Sequence, residues 1–166
     1  MLLAAGAGCR GPSPRQDLDQ GAKSRRVRVA RAGEALLPSA GVRWEVASRD
    51  EIGAWAWPQG RIEISRLLLD RLDDNELAAA LAHELGHLID GGHLHAAPSA
   101  LAGDAGDLER RADRIACGLL RSRGVPGAAL TRMLGKLAAA TGDRNGALAA
   151  RIAAAPAECS PVAASR

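Results

Sequence analysis

The chain has no phenylalanine and no tyrosine, and only three tryptophans, two methionines and three cysteines in 166 residues. A core must therefore be assembled from Leu, Ile, Val, Ala and the tryptophans. Cysteines at positions 9, 117 and 159 lie too far apart for a Cys-rich metal site. No stretch approaches the roughly 20 apolar residues that carry a helix across a bilayer, and no internal repeat is visible. Neither sign of charge dominates: 22 basic against 19 acidic residues leave +3. The densest basic run, Arg25 to Arg31, lacks the aromatic or glycine-rich neighbours of a nucleic-acid reader, so a solvated helix face is expected and no nucleic-acid partner.

What is present is small and helix-forming. The length suits one compact domain. Alanine supplies much of the apolar content, and Ala-Leu-Arg stretches dominate the second half. Residues 23–37 read as an amphipathic helix ending near Pro38 and Gly41. Val42 to Val46 alternates apolar and charged residues as a half-buried strand does. Ala54–Trp57 and Arg61–Ile64, separated by Pro58-Gln59-Gly60, read as a hairpin. Ser65 is placed to cap a short helix through Leu69, and Asp73 or Asp74 to cap the next, which Gly91-Gly92 ends. Later helices are expected from Leu108 to about Arg123, from Gly127 to Ala140 and from Asn145 to Ala155, stopped by Pro156. The expected architecture is α+β, a small antiparallel sheet or hairpin packed on the helix of residues 74–90, with a helical C-terminal half.

That helix contains His83-Glu84-Leu85-Gly86-His87, the pattern H-E-x-x-H. Two histidines four apart share one helical face, so both imidazoles can reach one cation. Glu84 is offset by roughly 100° on the wheel, where its carboxylate can touch a water held by that cation. Zinc in such a site lowers the pKa of its water toward ~7, and the glutamate takes the proton. The pattern therefore points to metal-assisted hydrolysis of peptide bonds.

A catalytic zinc normally takes three protein ligands, and two completions compete. His93 follows His87 by six residues, the spacing of metzincins, but Asp90 stands where their glycine belongs and Met133 falls mid-helix rather than in a turn. Glu109 and Asp113, four apart on a neighbouring helix, offer the other completion. There Glu109 binds the metal, and Asp113 accepts a hydrogen bond from a ligating histidine and fixes its tautomer. Taken alone, the pair reads as an ordinary charged flank; coupled to the upstream pentapeptide, it is preferred as the third ligand and its support.

Taken in order, these segments resemble the gluzincin peptidases of the HtpX / CAAX prenyl protease / Oma-like family, metallopeptidase family forty-eight. The resemblance covers roughly residues 24 to 155. It rests on the hairpin Gly53 to Ser65, the lead-in Leu68 to Ala78, the pentapeptide, the E-x-x-x-D element Glu109 to Asp113, and Leu119-Leu120 with Gly124-Val125-Pro126. It implies a minimal zincin-like domain holding one zinc ion. His83, His87 and Glu109 would be ligands, Glu84 the general base and Asp113 the support of a ligating histidine. It also implies an extended peptide or unfolded protein as substrate, paired along the hairpin's edge strand, and a role in bacterial envelope protein quality control.

The chain departs from the family where Thr141-Gly142-Asp143-Arg144 replaces a His-Pro pair. With no tyrosine, the oxyanion must fall to His93, His95, Arg144 or the metal. Trp55 and Trp57 alternate onto one strand face, either lining subsites or packing in the core. A zinc-binding module without turnover, a peptidase-like chaperone or scaffold, is the alternative from another class.

Residues 1–22 read as a shortened lipoprotein-like signal and flexible tether, 23–155 as the domain and 156–166 as a mobile tail. Cys9, preceded by small residues, is the candidate for lipidation and a membrane tether, which places the protein in the bacterial periplasm or envelope; a cytoplasmic protein is the alternative. Cys117 and Cys159 are then left to pair with one another, or Cys117 to sit as a buried thiol.

Overall fold

A computed structural model describes residues 14–38, 41–91 and 105–159, with the backbone alone for 14–17, 105 and 156–158. The order of elements is α1 (Pro14–Leu36), β1 (Arg43–Ala47), β2 (Ala54–Trp57), β3 (Arg61–Ser65), α2 (Arg66–Leu69), α3 (Asp74–Ile89), α4 (Ala105–Ser122), α5 (Ala128–Thr141) and α6 (Ala147–Glu158).

The three strands form one sheet in the order β1-β3-β2. β2 and β3 make the expected antiparallel hairpin, with Trp55 opposite Glu63 and Trp57 opposite Arg61. Gly60 turns it at φ +70°, where a side chain would be strained. β1 instead runs parallel to β3, pairing Trp44 with Ile62 and Val46 with Ile64. The sheet is therefore mixed: the chain leaves β1, crosses to the far edge to form β2, and β3 folds back into the gap. Ile62 and Ile64 point into the core, fully buried. On the other face Glu63 receives Arg49 at 3.0 Å and Arg61 at 2.8 Å. The same guanidiniums stack over Trp55 at 4.4 Å and Trp57 at 4.7 Å.

α3 is the centre of the molecule. Its buried residues run without a break from Glu76 to His87, because α1, α4, α5 and the sheet all pack against it. Four alanines, Ala78, Ala79, Ala80 and Ala82, let those neighbours come close, which is how a core without Phe or Tyr can be dense. Asp73 caps the helix, accepting from the Glu76 amide at 2.8 Å while Glu76 accepts from the Asp73 amide at 2.9 Å. Lys136 and Arg132 of α5 close on the same buried Glu76 carboxylate. Arg28 of α1 bonds the Leu72 carbonyl at 2.7 Å and Asp74 at 2.8 Å, fixing α1 beside the start of α3.

Two boundaries differ from the sequence expectation. Residues 14–22, expected in the tether, are helical; Pro14 opens α1, where its fixed φ suits a first turn. α6 continues through Glu158 instead of stopping before Pro156, and the Cys159 amide closes its last turn on the Ala155 carbonyl at 2.9 Å.

Candidate metal centre

One helical turn separates His83 from His87, and their Nε2 atoms lie 3.1 Å apart. Glu109 of α4 completes a triangle, with Oε2 3.3 Å from His83 Nε2 and Oε1 3.5 Å from His87 Nε2. A tetrahedral ion with N and O ligands at about 2.0–2.2 Å sets neighbouring donors about 3.3–3.5 Å apart. The three side chains thus stand close to the spacing such an ion requires, and among the described residues they are the one His/Cys/Asp/Glu group that could hold one.

The approach of α4 depends on a glycine inside the motif. A Cβ on Gly86 would sit 2.7 Å from the Ala112 carbonyl oxygen and 3.0 Å from its Cα. Ala112 is itself fully buried. With small residues at both positions the helices close, and Glu109, one turn before Asp113, reaches the histidine pair.

His83 donates through Nδ1 to Asp113 Oδ1 at 2.8 Å, which turns Nε2 toward Glu109 and His87. Asp113 is 2% exposed and has a second partner, Arg151 of α6, which donates Nε to Oδ2 at 2.9 Å and Nη2 to Oδ1 at 2.8 Å. Arg151 also reaches Glu109, Nη1 to Oε2 at 2.6 Å. One guanidinium therefore spans the Glu109 and Asp113 carboxylates of α4.

These contacts set the protonation of the site. Burial works against the charged His83 ring, but Asp113 and Glu109 outweigh it and raise its pKa to about 9. Burial would likewise raise the Glu109 and Asp113 carboxyls, yet the hydrogen bonds to His83 hold both well below the usual range, with Arg151 contributing. Glu84 differs: burial dominates and pushes its carboxyl up. With neutral histidines, a divalent cation and Arg151 together would balance the three carboxylates Glu84, Glu109 and Asp113. The donor set, its spacing and its charge all fit such an ion.

A cavity of about 410 Å³ opens beside the triangle. His83, Glu84, His87, Glu109 and Arg151 form its polar end. Leu68, Met133, Leu134, Leu137 and Leu148 form an apolar wall, and Ala54 and Ala56 of β2 border it.

The structure brings together His83, Glu84, His87, Glu109 and Asp113. It does not bring in Trp55 and Trp57, which stack with Arg49 and Arg61 on the opposite face of β2 from Ala54 and Ala56. Arg144 is exposed in the turn before α6, away from the cavity lining. His93, His95 and Cys9 lie outside the described residues. Arg151 escaped the sequence reading. The signal for it was its place between Leu148, Ile152 and Ala155, on the inward side of an Ala-rich helix where an arginine needs a buried partner.

Comparison with known proteins points to a metallopeptidase family. A stretch of 70 residues is 33% identical to the metalloprotease YcaL of Escherichia coli (strain K12), covering 40% of this chain and 28% of that protein. The chain thus matches less than a third of that relative's length. The model of Peptidase family M48 matches residues 21–103, half of the chain, taking in the sheet and the H-E-x-x-H helix and ending before Glu109. By that match, the chain belongs to this metallopeptidase family.

Proposed function

We propose that the protein is a zinc-dependent endopeptidase that cleaves extended segments of unfolded proteins. One observation carries the reading: His83, His87 and Glu109 converge at ligand spacing beside a buried Glu84, at the polar end of an open cavity. Zinc, when bound, would supply a water acidic enough to lose its proton near neutral pH, and would polarise the scissile carbonyl. Glu84 takes that proton and delivers it to the leaving amine. Asp113 keeps His83 in the tautomer that ligates through Nε2, and Arg151 holds Glu109 and Asp113 in place from α6.

Substrate class follows from the walls. Among the described residues β2 is an edge strand bonded to β3, and an extended peptide can add to its other edge through main-chain hydrogen bonds. The aliphatic wall of α5 and α6 then takes an apolar side chain flanking the scissile bond. Chains that expose aliphatic side chains in extended form are unfolded ones, which supports damaged proteins as substrates. The residues preceding Cys9 and the Cys117–Cys159 disulfide support an oxidising bacterial envelope as the compartment, with Cys9 as tether.

The test is Glu84→Gln on the full chain. Metal analysis is expected to return about one zinc per chain for wild type and variant alike. Cleavage of unfolded casein should fall by about 10³-fold or more in the variant. Stoichiometric zinc without cleavage by the wild type would instead establish a binding module that has kept the metal fold.

A further inference from the structure

α4 and α6 are joined at two levels. At the metal centre, Arg151 of α6 bonds Glu109 and Asp113 of α4. Eight residues further along each chain segment, Cys117 in α4 and Cys159 just after α6 form a disulfide, with Cα atoms 4.9 Å apart. Glu109 to Cys117 and Arg151 to Cys159 are therefore equal strides, each just over two helical turns or about 12 Å. The two helices run in the same direction with their side chains in register, an ionic tie at one level and a covalent tie at the other. Arg121 adds a bond from Nη2 to the Cys159 carbonyl at 3.2 Å, at the covalent level.

α6 packs chiefly on α5 and less on α4, so its register against α4 depends on these ties. Its first turn is anchored by Asp143, which accepts from the Leu148 and Ala149 amides at 3.0 and 2.8 Å. Leu148, Ile152 and Ala155 seat α6 on the core, while Ala149, Ala150 and Ala153 on its other side are exposed. Yet Arg151 must bring a charge to the buried end of the cavity, where displacement by about an ångström separates it from both carboxylates.

We propose that the Cys117–Cys159 disulfide is a positioning device for Arg151, so that ligand geometry and proteolysis depend on the oxidation state of this pair. The proposal rests on the metallopeptidase reading above. A dithiol reverses the tie: one thiolate attacks a cystine sulfur to give a mixed disulfide, and its second thiol closes on the first. Cys117 and Cys159 leave as thiols, and the dithiol is oxidised to its own disulfide. Released, α6 loses register with α4, and Glu109 loses the guanidinium that holds it toward the histidines.

The experiment uses the zinc-loaded full chain carrying Cys9→Ser, so that thiol titration after denaturation reads this pair alone: none before reduction, two after. The reductant is a water-soluble phosphine, which takes oxygen from water as the sulfurs leave as thiols and adds no thiol to compete for zinc. Expected on reduction are a fall of about tenfold or more in kcat/KM and weaker zinc retention against a chelator. The helical circular dichroism should persist, and both losses should reverse on reoxidation. Cys117→Ala with Cys159→Ala should match the reduced state and ignore the phosphine. In an Arg151→Ala background reduction should change neither quantity, a coupling that a general brace would not produce. Unchanged zinc retention and kcat/KM with two thiols released would overturn the proposal. So would equal losses in the Arg151→Ala background, collapse of the helical signal, or free thiols before reduction. If the oxidised chain holds zinc but cleaves nothing, the peptidase reading fails while zinc retention still decides the tie.

Discussion

Nδ1 of His83 and Oδ1 of Asp113 lie 2.8 Å apart, and this one bond decides which nitrogen of the imidazole faces the other two donors. Asp113→Asn can still accept a hydrogen bond but carries no charge to strengthen ligation by His83. Its zinc affinity is expected to fall by about 10–100-fold, measured by chelator competition, with Tm changing far less than after loss of the metal.

In the proposed site Glu109 is the donor that the neighbouring helix adds to the histidine pair. Glu109→Ala should abolish stoichiometric zinc and all cleavage, whereas His93→Ala should retain both. Metal analysis of the two variants side by side separates a third ligand on α4 from one in the segment after α3. Zinc lost from His93→Ala and kept by Glu109→Ala would reverse the assignment.

Gly86→Ala places a methyl 2.7 Å from the Ala112 carbonyl oxygen, and backbone cannot swing aside as a side chain does. The helices must part, at a cost of about 1–3 kcal/mol. Thermal unfolding should show the lower Tm. Because the parting moves Glu109, zinc affinity should drop along with stability; Tm lowered at unchanged affinity would mean that α4 yields elsewhere.

Most of this centre was legible because it is local or periodic. The pentapeptide, the cap of α3, which the sequence left between Asp73 and Asp74 and which falls to Asp73, the Ser65 cap of α2 and the Pro58-Gln59-Gly60 turn are all set by residues within four positions of one another. Glu109 and Asp113 were legible as a pair because both project from one face of a single helix. What escaped is non-local. The parallel pairing of β1 with β3 depends on where the connection of residues 48–53 crosses, which no alternation pattern encodes. Arg151 is 68 positions from His83, and nothing near it in sequence announces its partners. Whether Cys117 pairs with Cys159 also depends on how α6 lies on α4.

Acid should attack the far end of α3 as well as the metal centre. Glu76 is 1% exposed; burial alone would raise its carboxyl, but Lys136 and the Asp73 amide outweigh burial and lower it. A carboxyl depressed in the folded state contributes stability that is fully present above its unfolded value of 4.5 and is lost as pH falls through the lower folded value. Chemical denaturation between pH 7 and pH 3 should therefore show stability falling below about pH 4.5. Glu76→Gln should cost about 1–3 kcal/mol at pH 7 and flatten that slope; an unchanged slope would take Glu76 out of the acid response.

Leu137 is half-buried on the aliphatic wall, so a charge there can be tolerated by the fold. Burying an aliphatic side chain stabilises by about 1.5–3 kcal/mol, or roughly 10–100-fold in kcat/KM. Leu137→Glu should lose about that factor for peptides with Leu or Ile beside the cleaved bond and gain relative activity toward Lys or Arg. Cleavage-site mapping on a peptide library reads the change; an unaltered profile would mean that the wall does not touch substrate.

Ala54 and Ala56 present only methyl groups to the cleft, while the bulk of that strand, Trp55 and Trp57, is clamped beneath two arginines on the reverse side. A guest laid along β2 therefore meets almost bare peptide. Under the proposed function, gripping and choosing fall to separate surfaces: the sheet edge would hold any sequence that lies straight, and discrimination would be left to the helices across from it. If the protein is the peptidase proposed above, drift in α5 or α6 would retune its diet without disturbing its hold on the chain.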